Sequence, residues 1–230
     1  MIVVHHLENS RSQRVLWLLE ELGVPYEVKR YERDKQTMLA PPELKAIHPL
    51  GKSPVVTDDG AVIAETGLIV EYLCDKYGEH LAPEARLAPA KSAGVDSAER
   101  LRWLYWLHYA EGSAMTPLIL KLVFSRLGPQ SPALIRPLVG GIASKVQSAF
   151  VDPQLKLHID YWEAELAASG WFAGDRFSAA DVVMSFPVEA AADRVGYGPD
   201  RPRLKAFLTA IHARPANVRA LERGGPYRYA

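Results

Sequence analysis

The chain has 230 residues, 48% of them hydrophobic and 23% charged, which suits a globular protein with a proper core and excludes disordered and fibrous classes. Lys plus Arg and Asp plus Glu number 27 each, so the formal charge is zero and the basic excess usual in nucleic-acid-binding proteins is missing. The one cysteine, Cys74, excludes an internal disulfide framework and a multi-cysteine zinc site, and fits a reducing compartment.

Ile2 to Leu7 opens with β-branched residues and predicts a strand. The segment lacks the basic start and apolar run of a secretory signal, and no stretch of about 18 uncharged apolar residues follows anywhere, so a cytoplasmic protein without a membrane partner is expected. Ser10 to Leu22 places Val15, Leu18, Leu19 and Leu22 at helical spacing. Ser10 with Gln13 forms a capping-box pattern, and Gly23 supplies a left-handed stop. Tyr26 to Tyr31 alternates and predicts a second strand, parallel to the first.

A short helix is expected at Pro42 to Ile47. Pro54 to Thr57 and Ala61 to Ala64 then flank an Asp58-Asp59-Gly60 turn, a hairpin signal. Glu65 to Tyr77 reads as a helix closed by Gly78. The order β-α-β-α-β-β-α over residues 1–80 is a thioredoxin-like α/β arrangement. Pro83 and Pro89 mark 81–89 as a linker, and residues 90–230 read as an all-α domain, with helical periodicity over Ala90 to Leu127 and Ser131 to Ser169 and a cap at Ser178 to Asp181. Residues 194–230 carry eight basic and two acidic side chains, read as a solvated helical face because no aromatics are interleaved as in single-strand binders. The histidines show no metal-ligand spacing and there is no Gly-rich phosphate loop, so neither a metal nor a nucleotide is expected.

Asn9 to Gly23 (NSRSQRVLWLLEELG), His48 to Val55 (HPLGKSPV), Glu65 to Leu73 (ETGLIVEYL) and Ala173 to Asp181 (AGDRFSAAD) together resemble the cytosolic glutathione transferases of bacterial, serine-type character. The four strings span nearly the whole chain in the family's order. The resemblance implies a glutathione-binding N-terminal domain, an electrophile pocket on the helical domain, and a homodimer.

A serine hydroxyl at a helix N-terminus lies beside unsatisfied N–H groups and the positive end of the helix dipole, an environment that favours an anion, although serine also simply caps helices. In serine-type members this hydroxyl donates to the thiolate of glutathione. Ser10 is ranked first for that role and Ser12 second, with Asn9 competing. Pro54 matches the family's cis proline, and the backbone of Ser53 is expected to pair with the cysteinyl part of glutathione like an added strand. Thr66 is implied for the γ-glutamyl carboxylate, Glu65 for the ammonium group and Lys52 for the glycyl carboxylate, while His48 stands where Asn is frequent. Tyr105 and Tyr109, on an aromatic-rich helix, are expected at the electrophile pocket. Cys74 is read as small apolar packing. Besides conjugation, the same site admits binding without chemistry, or a glutathione-dependent peroxidase, isomerase or dehalogenase.

Overall fold

The computed structural model describes residues 1–229; Ala230, the last residue of the expected helical region, lies outside them. Four strands form one sheet in the order β2-β1-β3-β4. Strand β1 (Ile2–Leu7) pairs in parallel with β2 (Tyr26–Tyr31) from Ile2 opposite Tyr26 to Leu7 opposite Tyr31, and antiparallel with β3 (Val55–Asp58). Strand β4 (Ala61–Ala64) closes a hairpin on β3 across Asp59-Gly60. Both turn residues have positive φ, 47° and 89°, as a primed two-residue turn requires.

Asp58 therefore ends the strand instead of starting the turn. Its buried carboxylate accepts bonds from Tyr72 Oη (2.8 Å), Lys76 Nζ (2.7 Å) and Tyr77 Oη (2.6 Å), all on helix α3 (Thr66–Tyr77). This anchors the third helix to the sheet.

Helix α1 (Ser12–Leu22) begins one residue later than the capping-box pattern predicts, with Arg11 at the N-cap. The box does not form: Gln13 N–H bonds the Ser10 backbone carbonyl at 3.2 Å, and the buried Gln13 amide makes no hydrogen bond. The Ser10 hydroxyl is drawn instead to groups from elsewhere in the chain, as described below. Gly23 does close the helix in the left-handed conformation, φ 65°. Short helix α2 (Pro42–Ile47) plugs Leu44 against Leu7 and Tyr31.

Helix α4 (Ala98–Tyr109) starts eight residues later than the periodicity suggests. Gly94 takes φ 84°, and Ser97 caps the helix by accepting Arg100 N–H at 3.3 Å. A π turn over Ala110–Ala114 carries the chain into α5 (Met115–Gln130). Helices α6 (Arg136–Val146), α7 (Asp152–Ser169), α8 (Ala179–Arg194), α9 (Pro202–His212) and α10 (Pro215–Gly224) follow.

Helix α8 is buried over most of its length, which explains its weak amphipathic signal. The expected cap is present at its start. Ser178 Oγ accepts Ala180 N–H at 3.3 Å, while Asp181 accepts the backbone N–H groups of Ser178 and Phe172, each at 2.8 Å. Burial pushes the Asp181 carboxyl up to about 7 against the pull of these donors.

The basic tail is a solvated face only in part: Arg203, Lys205, Arg219, Arg223 and Arg228 are exposed, but three of its arginines are also paired across to the first domain. Arg214 bonds Glu21 at 2.8 Å, Arg219 and Arg223 bond Glu20 at 2.7 and 3.1 Å, and the Arg223 guanidinium lies 3.7 Å from the centre of the Tyr26 ring. Helix α10 is thereby clamped along α1, and α1 buries apolar side chains toward both the sheet and the helical domain.

Candidate active site

The turn between β1 and α1 carries Asn9 with φ 48° and then Ser10. Ser10 is 7% exposed and lines a cavity of about 210 Å³ with Asn9, Arg11, Arg33, Leu39, Lys52, Ser53 and Phe186. A neighbouring cavity of about 220 Å³ is lined by Arg11, His48, Lys52, Ser53, Pro54, Glu65, Thr66 and Glu111. Arg11, Lys52 and Ser53 border both, so the two spaces adjoin across them. A larger cavity of about 310 Å³ near the linker, lined by Cys74, Arg86 and Leu87 among others, shares no residue with either.

Three serine hydroxyls meet at the turn. Ser10 Oγ is 2.8 Å from Ser12 Oγ and 3.1 Å from Ser53 Oγ, and it also accepts Ser12 N–H at 3.3 Å. Ser12 is fully buried behind Ser10 and does not border the cavity. Asn9 does border it, but its Oδ1 accepts the backbone N–H of Arg228 at 3.0 Å, which ties the turn to the end of the described chain. The Ser53–Pro54 peptide is cis.

Glu65 is exposed in the left-handed region, φ 74°, immediately before α3. That conformation sets its side chain at the cavity edge while Thr66 is buried at the helix start. Lys52 stands exposed at the rim.

Four residues at the site went unread in the sequence. Arg14, 1% exposed, donates to the Val183 carbonyl of α8, to Thr66 Oγ1 at 3.4 Å, and to Glu111. Arg11 Nε pairs with the other Glu111 oxygen at 2.8 Å. Burial works to raise the Glu111 carboxyl, but Arg14 and Arg11 outweigh it and hold the group ionised. Phe186 of α8 lies beneath both guanidinium groups, 5.1 and 5.2 Å from its ring centre. The spacing of Arg11 and Arg14, three apart on one helix face, was the available signal.

Tyr105 and Tyr109 stand apart from this assembly. Neither borders the two adjoining cavities. The Tyr109 hydroxyl accepts Trp162 Nε1–H at 2.9 Å and bonds His158 Nδ1, and Tyr105 stacks on the Tyr109 ring at 5.3 Å. Burial raises the Tyr109 hydroxyl's pKa, so it stays protonated within the helical core. Cys74 is buried on α3 with its thiol pushed up by burial, an unreactive packing group.

The fold and site define a thioredoxin-like α/β domain joined to an all-α domain, with a hydroxyl-bearing turn and a polar, ion-paired cavity at their junction. Two family models match, described as the N-terminal domain of glutathione S-transferase over residues 1–75 and its C-terminal domain over residues 115–215. The chain is 37% identical over 217 residues to glutathione S-transferase 3 of Schizosaccharomyces pombe, covering 94% of this chain and 85% of the relative. It is 34% identical to glutathione S-transferase 1 of Saccharomyces cerevisiae, covering 92% and 90%. A crystal structure of a glutathione S-transferase from Actinobacillus pleuropneumoniae superposes with a TM-score of 0.76 at 31% identity, over 97% of this chain and 93% of that one. The chain belongs to the glutathione S-transferase family and is an enzyme of that class.

Proposed function

We propose that the enzyme conjugates the thiolate of glutathione to a small hydrophobic electrophile, with the Ser10 hydroxyl donating a hydrogen bond to the sulfur. The observation that carries this reading is the position of that hydroxyl: at the cavity wall, on the turn entering α1, and 3.1 Å from the side chain of Ser53 in the cis Ser53–Pro54 unit. A free thiol has a pKa of roughly 8.5, and each unit by which the site lowers it favours the thiolate by about 1.4 kcal/mol. Ser12 fits the role less well, since it lies behind Ser10. Asn9 borders the cavity, but its side-chain oxygen is taken up by Arg228.

Glutathione has two carboxylates and one ammonium group, and the adjoining cavity offers matching charges. Thr66, with its helix-terminal N–H, suits the γ-glutamyl carboxylate, Glu65 the ammonium and Lys52 the glycyl carboxylate. The backbone of Ser53 extends toward the cysteinyl residue. Phe186 and Leu39 give the Ser10 cavity its apolar surface, the place for the electrophile. Catalysis then combines a lowered thiol pKa with proximity of the two reactants.

The homodimer belongs to the same proposal. Leu68 on α3 and Leu101 and Tyr105 on α4 are large, exposed side chains that a second copy would cover. So do a cytoplasmic location, the division of the chain at residue 80, and the linker 81–89. Among the described residues, no helix is long and apolar enough to cross a membrane and no cluster suited to a metal ion occurs.

The test is turnover of 1-chloro-2,4-dinitrobenzene with glutathione. Ser10→Ala is expected to lower kcat/KM by about tenfold or more and to raise the pKa of the bound thiol by about a unit. An unchanged rate and thiol pKa in that variant would overturn the assignment of Ser10.

A further inference from the structure

Behind Ser10 the hydrogen bonds continue into the protein. Ser12 Oγ stands 2.8 Å from Ser10 Oγ and 2.9 Å from His6 Nδ1, and all three side chains are buried. A hydroxyl has one proton to give, and a neutral imidazole can present Nδ1 as donor or as acceptor. The line Ser10–Ser12–His6 can therefore run in either direction.

With the imidazole proton on Nε2, Ser12 donates to Nδ1, Ser10 donates to Ser12, and Ser10 offers lone pairs to the cavity. With the proton on Nδ1, His6 donates to Ser12, Ser12 donates to Ser10, and the Ser10 O–H turns outward. The first state suits a thiol, whose S–H can donate to Ser10. The second suits a thiolate, which needs a donor. In the second state Ser10 also accepts from Ser12, and a hydroxyl that accepts while it donates is the stronger donor.

An imidazolium is not a third state of comparable weight. Burial and the nearby Arg30 of β2 disfavour it, outweighing the opposite pull of the Gly224 backbone and Glu8, and hold His6 down to about 4.

We propose that thiolate binding at Ser10 selects the second direction, so that Ser12 and His6 are positioning residues and the His6 tautomer follows the protonation state of the bound thiol. The inference rests on the reading of Ser10 above. The thiol proton leaves to solvent, the imidazole proton moves from Nε2 to Nδ1, and the two hydroxyls rotate, so the protein's net charge does not change. Three groups compete with the second direction: Ser53 Oγ, 3.1 Å from Ser10 Oγ, for the Ser10 proton, the Leu7 carbonyl, 3.4 Å from Ser12 Oγ, for the Ser12 proton, and the Gly224 backbone, which bonds the His6 ring, for the imidazole proton.

The experiment follows the ultraviolet absorbance of bound glutathione thiolate against pH in the wild type, Ser12→Ala, His6→Leu and His6→Asn, with Ser10→Ala in parallel. Ser12→Ala and His6→Leu are expected to raise the thiol pKa by about half to one unit, which is roughly three- to tenfold less thiolate at a given pH well below it. His6→Asn, whose amide can donate or accept, restores most of what His6→Leu loses. Ring 15N spectra of wild-type His6 supply an arm independent of any variant's folding: proton on Nε2 with glutathione bound as the thiol, well below its bound pKa, and on Nδ1 with glutathione bound as the thiolate, well above it. An unshifted thiol pKa in Ser12→Ala and His6→Leu, or one tautomer in both states, overturns the relay and leaves the Ser10 reading standing if Ser10→Ala still shifts. No shift in Ser10→Ala counts against that reading itself.

Discussion

Arg14 does not line either cavity, yet three segments meet on its guanidinium: α8 through the Val183 carbonyl, the start of α3 through Thr66, and the π turn after α4 through Glu111. A buried fork of donors suits this task, because each N–H has a fixed direction and the charge cannot be lost. Arg14→Ala removes one partner of a largely desolvated ion pair and leaves a buried carbonyl unpaired. Urea denaturation is expected to show a loss of about 3 kcal/mol. Arg14→Lys loses less but does not restore the wild type, since one ammonium cannot face all three acceptors. The sequence showed Arg11 and Arg14 only as charges on an amphipathic helix, where solvent is the ordinary partner. Glu111 and Phe186, 97 and 172 residues beyond Arg14, lie too far along the chain for spacing to connect them. Ser10, Lys52, Glu65 and Thr66, which border the two cavities, could be singled out as candidates because each sits in a short string whose order along the chain carries the resemblance.

At the level of elements, the contact between β3 and α3 turns on Asp58. Burial would raise its carboxyl, but the bonds from Lys76, Tyr77 and Tyr72 outweigh that and hold it down to about 2. A carboxyl depressed in the folded state stabilises the fold above its unfolded value, near 3.8, and that contribution is lost as pH falls toward 2. Urea midpoints measured between pH 5 and 2 should fall steeply for the wild type. Asp58→Asn is expected to start lower at pH 5 and to show a shallower fall. Strands β1, β2 and β4 and helix α2 have the limits that periodicity and turn residues predicted, since alternation and Gly or Pro punctuation are local properties. Two of the errors fall where a distant partner is present, whereas the late start of α4 follows from the local Gly94 and the Ser97 cap. At the start of α1 Ser10 bonds Ser53, 43 residues away, as well as Ser12, and the strand end at Asp58 meets its donors on α3.

Across the whole molecule, the neutral total hides an internal match. Residues 1–80 hold nine basic and thirteen acidic side chains, and the basic tail meets this excess at Glu20 and Glu21. Glu21→Gln weakens a partly buried two-point bond to Arg214, a loss of about 1 kcal/mol, which for a chain of this size lowers the thermal midpoint by roughly 2–4 °C. The difference from wild type should narrow as salt is raised, and a salt-independent difference would assign the loss to packing instead. The same clamp has a consequence for how the enzyme is made. The turn bearing Ser10 leaves the ribosome 218 residues ahead of Arg228, yet it is held by Arg228, and the helix it opens is packed under α10. A nascent chain that has not yet released residues 215–228 lacks the wall against which its active-site turn is set. Maturation of the site is thereby deferred until residues 215–228 have emerged, and ribosome-stalled chains shorter than this carry the reactive turn without that wall.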